Sequence, residues 1–256
     1  MLAQTPVTRV APVWPEWVQR WPVPSALAAA KPADVLRAWG RLGYPGRALR
    51  LHACAGVLGA EHRDVVPDDV DALLTLPGVG PYTARAVACF AYGRRVPVVD
   101  TNVRRVVARA VHGAAGSGAP STTRDLADTA ALLPDDVGEA VVFSAALMEL
   151  GAVICTARRP RCPACPVQDR CAWLRLGRPA HTGPRQATQR FVGTDRQVRG
   201  LLMAVLRDAS GPVVRTRLDL VWTQDPAQLE RALGSLRADG LVEQTPDGRF
   251  ALAGEG

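Results

Sequence analysis

Four cysteines, Cys155, Cys162, Cys165 and Cys171, fall within seventeen residues in the spacing C-x6-C-x2-C-x5-C, and few backbone paths can bring them together. The residues between them (Thr156-Ala157-Arg158-Arg159-Pro160-Arg161) are rich in Arg and Pro, which makes a turning loop rather than one face of a helix. Four converging thiolates suit a tetrahedral structural zinc, or an iron–sulfur cube whose corner irons each take one sulfur. Cys162-Pro163-Ala164-Cys165 is an ordinary zinc hook, but the outer cysteines stand singly, so the spacing leaves both metals open. A disulfide pair fits less well. No signal peptide is expected, and the remaining Cys54 and Cys89 lie singly in apolar helical surroundings that suit buried free thiols.

With 256 residues, 48% of them hydrophobic, the chain can bury a real core and form two or three modest domains. No apolar run is expected to approach the ~18 residues of a membrane span, so the reading is a soluble, cytoplasmic protein with no membrane partner. The formal charge is +7, and its placement says more than its size. Residues 151–200 hold ten Arg against only Asp169 and Asp195. Lys31 is the only lysine, a bias that a GC-rich genome explains, but such a bias does not cluster charge. An electropositive face for phosphates around the cysteine loop does.

Helical periodicity dominates before residue 240. It predicts helices over about 5–20, 32–41, 46–58, 68–74, 81–90, 101–111, 122–132 and 137–155. Residues 176–195 lose the periodicity and read as a linker. Beyond them, Leu201, Leu202, Val205 and Leu206 make one helical stripe, residues 218–222 a second short helix, and Leu229, Leu233 and Leu236 a third. A hairpin turning at Asp247-Gly248 follows. Three helices and a hairpin resemble a winged helix. His52, His62, His112 and His181 show no ligand spacing, and Trp14, Trp17 and Trp21 recur at helical intervals that suit a core.

Two further segments carry chemistry. In Leu76-Pro77-Gly78-Val79-Gly80-Pro81-Tyr82-Thr83, the glycines permit positive φ and close backbone approach to an anion, and Pro81 suits the first turn of the next helix. In Val98-Val99-Asp100-Thr101-Asn102-Val103, Asp100 is placed to cap a helix whose buried face is Val103, Val106, Val107 and Ala110. Capping favours the ionised carboxylate, and an anion is what a developing glycosyl cation needs.

Leu76–Thr83 resembles the helix–hairpin–helix that grips DNA phosphates. With the Val-Asp-x-Asn-Val segment and the cysteine loop, in this order, residues 1 to about 175 resemble the DNA glycosylase superfamily of endonuclease III and adenine DNA glycosylase. The resemblance implies a mainly α fold carrying a [4Fe–4S] cluster on Cys155, Cys162, Cys165 and Cys171. Its domains would be a helical barrel over 1–94 with the hairpin at about 68–90, a cluster domain over 95–175 carrying Asp100, the linker over 176–195, and a small winged-helix-like tail over 196–256.

Several residues resemble the adenine-specific (MutY) branch. Tyr82 stands where endonuclease III relatives carry a nucleophilic lysine, which implies hydrolysis without a Schiff base. Met1-Leu2-Ala3-Gln4-Thr5 is similar to the branch's MLQQT segment and Gly40-Arg41-Leu42-Gly43-Tyr44 to its GLGY segment. In relatives the residues at Gln4 and Tyr44 wedge into the duplex beside 8-oxoguanine. The implied reaction is removal of adenine mispaired with 8-oxoguanine or guanine in double-stranded DNA, after the nucleotide flips out of the stack. Asp100, Asn102 and Tyr82 form the implied catalytic site. Gln4, Thr5, Tyr44, Gly78, Val79, Gly80, Thr83, Arg158, Arg159 and Arg161 are the implied DNA contacts, on a bacterial, nucleoid-associated monomer.

Two departures accompany the resemblance. The branch's adenine-protonating Glu lies two residues before the Met of MLQQT, so an in-frame extension of roughly forty codons upstream of Met1 is expected to carry it; general acid catalysis is typically worth ~10²–10⁴-fold. The tail is too short and too helical for the MutT-like domain of many members. The alternatives are a uracil or thymine mismatch glycosylase and a non-catalytic DNA-binding homologue.

Overall fold

In this computed structural model, which describes residues 1–180 and 191–256, the chain is a series of helices with one short hairpin. The first five are α1 (Val7–Val10), α2 (Trp14–Arg20), α3 (Pro24–Ala28), α4 (Pro32–Trp39) and α5 (Gly46–Glu61). Then come α6 (Val70–Leu74), α7 (Pro81–Tyr92), α8 (Thr101–Ala110), α9 (Thr122–Ala130), α10 (Val137–Glu149) and α11 (Ala172–Arg175). The carboxyl-terminal segment holds α12 (Asp195–Asp208), α13 (Arg215–Asp219), α14 (Pro226–Ala238) and the antiparallel strands β1 (Val242–Gln244) and β2 (Phe250–Leu252). Local chemistry sets the ends. Asp69, Asp100, Asp136 and Asp225 each accept a backbone N–H at a helix start, and Gly40 and Gly93 follow helix ends with φ of 54° and 66°.

Two compact units result: residues 1–66 and 76–78 with 191–256, and residues 67–75 with 79–180. This partition differs from the domains expected above, because the carboxyl-terminal segment does not stand alone. Val198, Leu202, Met203 and Leu206 of α12 share one core with Val35, Leu36 and Trp39 of α4. Arg37 of α4 donates to the Arg207 and Ala209 carbonyls at 3.3 and 2.9 Å and pairs with Glu255 at 2.5 Å. Three helices and a hairpin are present as expected, and an isolated bridge pairs Val213 with Phe250.

Several expectations need correction. The helix over 5–20 is broken between α1 and α2, where Pro12 cannot donate to the ladder. Trp14 is 56% exposed, whereas Trp17 and Trp21 are buried and meet edge-to-face at 4.7 Å. On α12 the buried stripe is Val198, Leu202, Met203 and Leu206, with Leu201 exposed. His181 and residues 182–190 of the linker lie outside the described residues.

The second unit is built on α8, whose Val103, Val106 and Val107 pack with Leu147 of α10. Here α10 runs straight into a π-helical turn, Leu150–Ile154. Together they form an 18-residue helix of mean hydropathy 1.8, long and apolar enough to cross a membrane by length and composition, contrary to the expectation that no such run exists. An apolar groove of about 580 Å³ runs beside it, lined by Val106, Ala110, Phe143, Leu147, Val153 and Ile154 among others.

Candidate active site

Asp100 sits at the start of α8 in extended conformation, where a side chain can fold back over the first turn. Its Oδ1 accepts from the backbone N–H groups of Asn102 at 2.8 Å and Val103 at 2.7 Å, and its Oδ2 accepts from the Asn102 side-chain amide at 2.8 Å. These three donors fix the position of the carboxylate over the first turn of α8. Tyr82, in the first turn of α7, is half-buried; burial first, and the Asp100 charge second, raise its phenol above the ordinary value. Tyr82 is therefore a neutral hydroxyl at neutral pH. Tyr82, Asp100 and Asn102 thus gather in the second unit.

Sequence reasoning missed what holds Asn102. Arg105, one turn along α8, donates to Asn102 Oδ1 at 2.8 Å, to the Gly151 carbonyl at 2.6 Å and to the Cys155 carbonyl at 2.7 Å. Gly151, in the π-helical turn, is pressed against α8: a Cβ there would stand 2.7–2.9 Å from Asn102 atoms, two of them backbone. Two signals were available. Arg105 and Arg109 are i, i+4 on an otherwise valine-lined helix, and a lone glycine inside an apolar helix often marks close packing.

The hairpin joins α6 to α7. Gly78 has φ 76°, the left-handed region that favours glycine, and a Cβ there would meet the Arg50 side chain at 2.7 Å. Gly80 is instead extended, at φ −97°, so the positive φ expected of both glycines holds only for Gly78. Pro81 opens α7, whose N-terminus has no capping side chain. Val79 and Thr83 are half-buried.

In the first unit Gln4 is exposed and Tyr44 is 49% exposed, with Tyr44 at a strained φ of 49°. Thr5 is different. It is 4% exposed, and its hydroxyl donates to the Leu42 carbonyl at 2.9 Å and accepts from Arg47 at 2.6 Å, so an anchoring role replaces the DNA contact expected of it. Arg47 also donates to the Met1 carbonyl at 3.0 Å and the Gly43 carbonyl at 3.1 Å, tying the Gln4 segment to the Tyr44 loop.

The four loop cysteines are all unpaired thiols, as are Cys54 and Cys89, which are buried as expected. Burial raises the Cys165 thiol, the Val167 N–H lowers it, and Cys155, Cys171 and Cys162 raise it again, so all four sulfurs share one neighbourhood. Yet among the described residues no group of three or more His, Cys, Asp or Glu is placed to hold a single metal ion. Four cysteine thiolates in one neighbourhood are the donor set that a [4Fe–4S] cube takes, one sulfur to each corner iron. The donor set fits the cube. Buried Arg109 shapes the loop, with Nη1 3.4 Å from Cys155 Sγ and donating to the Thr156 carbonyl at 2.8 Å, while its guanidinium lies 4.8 Å over Trp173. Arg158 and Arg159 are exposed; Arg161, also exposed, donates to the Val153 carbonyl at 2.7 Å.

Residues 1–129 match the HhH-GPD superfamily base excision DNA repair protein family, and residues 155–171 match the iron–sulfur binding domain of endonuclease III. The cofactor is accordingly a [4Fe–4S] cluster. Over 256 residues the chain is 67% identical to the adenine DNA glycosylase of Mycolicibacterium smegmatis, with all of this chain and 86% of that protein covered. Among solved structures it resembles a thermostable thymine-DNA glycosylase (TM-score 0.63, 26% identity, covering 68% of this chain and 80% of that one). It is also similar to the protein of a non-covalent endonuclease III–DNA complex (TM-score 0.59, 25% identity, covering 69% and 81%). A thymine-DNA glycosylase matches two thirds of the chain at modest identity, whereas the adenine-specific relative matches all of it, and the latter decides the branch. By its hairpin, its pinned Asp100 and its cysteine loop as much as by these likenesses, the chain belongs to the HhH-GPD superfamily of base excision DNA repair proteins, in its adenine DNA glycosylase branch.

Proposed function

We propose that this chain hydrolyses the N-glycosidic bond of adenine mispaired with 8-oxoguanine in duplex DNA, as a monofunctional glycosylase acting as a monomer. The observation that carries the reaction type is the Asp100 carboxylate, held by three hydrogen bonds beside a neutral Tyr82 rather than a lysine.

In this reading the flipped adenine is first protonated by a general acid. The bond from C1′ to N9 breaks with its electron pair leaving on adenine. Positive charge then develops on the sugar, and the Asp100 carboxylate stabilises it without reorganising, because Asn102 and the α8 N-terminus already hold it. Water adds to C1′ and gives up a proton, leaving an abasic site. Asn102 orients Asp100, and Tyr82 lines the site and offers a hydroxyl. The hairpin backbone at Gly78, Val79 and Gly80, with Thr83, holds a phosphate; Arg158, Arg159 and Arg161 meet the duplex backbone. Gln4 and Tyr44 form the wedge that reads the opposite base. Cys155, Cys162, Cys165 and Cys171 would hold the cluster, which would brace the arginine loop that Arg109 and Arg161 already bond to the backbone. The site of action is the bacterial cytoplasm, at the nucleoid, and the apolar α10 is a packing element of the second unit rather than a membrane anchor.

The test is a set of duplexes carrying A opposite 8-oxoguanine, A opposite G, and T or U opposite G. Adenine release, with no covalent product trapped by borohydride, is expected. Release of T or U in preference to adenine would replace the reading with the pyrimidine one. Binding without release of any base would leave a non-catalytic DNA-binding protein.

A further inference from the structure

Helix α12 lies along the loop that carries Tyr44 and touches it at both ends. Near its C-terminus, Arg207 donates from Nη1 to the carbonyl of Gly40, the residue that ends α4, at 2.6 Å. At its first turn, the guanidinium of Arg196 stands 4.7 Å over the Tyr44 ring. Arg47 approaches the same ring at 5.8 Å. Tyr44 needs such support. Its backbone is in the left-handed region, which persists in a non-glycine residue only where surroundings enforce it, and half its side chain is exposed to water.

We propose that Arg196 is a positioning residue for recognition of the base opposite adenine: delivered by the carboxyl-terminal segment, it holds the Tyr44 ring in its wedge orientation. The proposal rests on the reading of Gln4 and Tyr44 as the wedge. It gives the segment a task in damage recognition besides completing a core. A merely electrostatic Arg196 would weaken binding to every duplex alike and reduce its salt dependence. A positioning Arg196 acts through Tyr44 and is felt where the wedge is.

The experiment uses the full chain and duplexes in which a 2′-fluoro adenosine, which resists hydrolysis, stands opposite either 8-oxoguanine or guanine, with Kd measured by anisotropy at one salt concentration. The variants are Arg196→Ala, Arg196→Lys, Tyr44→Leu and the Arg196→Ala/Tyr44→Leu double. Arg196→Ala is expected to weaken the 8-oxoguanine duplex about 2–5-fold, the range of an exposed cation–π contact, and the guanine duplex less. Arg196→Lys recovers part of the loss, and Arg196→Ala adds nothing in the Tyr44→Leu background. Because Arg196 is exposed, its thermal midpoint should match the parent's. Equal losses on both duplexes, or full additivity with Tyr44→Leu, would overturn the proposal while leaving the wedge intact. If Tyr44→Leu by itself leaves the preference for 8-oxoguanine unchanged, the wedge reading fails, and the role of Arg196 fails with it.

Discussion

Asp100 does two jobs that one substitution can separate. Asn is as good an N-cap as Asp, so Asp100→Asn should keep both backbone bonds, lose only the one from the Asn102 amide, and cost no more than ~1–2 kcal/mol of stability. Without the negative charge, single-turnover adenine release should fall by ~10²–10³-fold or more, the usual cost of losing one preorganised electrostatic partner. A variant that melts early would show that capping is the larger role. Asp125 gives a pH-dependent case. Burial opposes its ionisation, but the Ser121 N–H at 3.0 Å and the Arg124 and Arg104 guanidiniums at 3.1 and 2.6 Å outweigh burial and hold the carboxyl below its ordinary value. A depressed folded-state value stabilises above the unfolded carboxylate pKa of ~3.9 and is lost as pH falls through the folded one. Asp125→Asn should therefore lower the melting temperature at pH 7, and the gap to the parent should close below about pH 4.

At the scale of elements, the contact of α8 with the π-helical turn decides whether Asn102 is in place. Gly151→Ala would drive a methyl group into Asn102 atoms 2.7–2.9 Å away, an overpacking cost of ~1–3 kcal/mol. Thermal denaturation should show that loss, and adenine release should drop more than DNA affinity. Much of this element was legible beforehand: valines at helical spacing after an Asp announce both α8 and its cap. The phase of α12 was not, because Leu201, Leu202, Val205 and Leu206 suggest a stripe as readily as the buried Val198, Leu202, Met203 and Leu206 do. Helix α3, Pro24–Ala28, is too short to show periodicity at all. Arg105 and Arg47 escaped notice because most of their partners are backbone carbonyls, which every residue carries and no sequence distinguishes. Thr5 was read as a DNA contact for a similar reason: a hydroxyl in a binding motif looks the same whether it faces a phosphate or a buried arginine.

At the scale of the whole molecule, an amphipathic helix declares that it packs without saying against what. The carboxyl-terminal segment reads as a separable module, yet Leu202, Leu206, Leu233 and Leu252 lie in the same buried cluster as Val35, Leu36 and Trp39. A chain ending at residue 190 should therefore lose the cooperative unfolding of the first unit and expose Trp17 and Trp39 to quenchers, whereas an independent tail could be removed with no change in melting. Within the intact chain, Leu206→Ala should cost ~2–5 kcal/mol, as for other fully buried leucines. The interrupted path of the first unit also sets a timetable for synthesis. Trp39 leaves the ribosome long before its α12 partners exist, and at ~5–20 residues per second it waits on the order of ten seconds or more for them. The cysteine loop emerges within that interval, so metallation can precede closure of the first core. Nascent chains arrested with residues 1–190 outside the ribosome should already retain iron while α1–α5 stay open to protease, and releasing the final segment should shut both helices and wedge into their finished form.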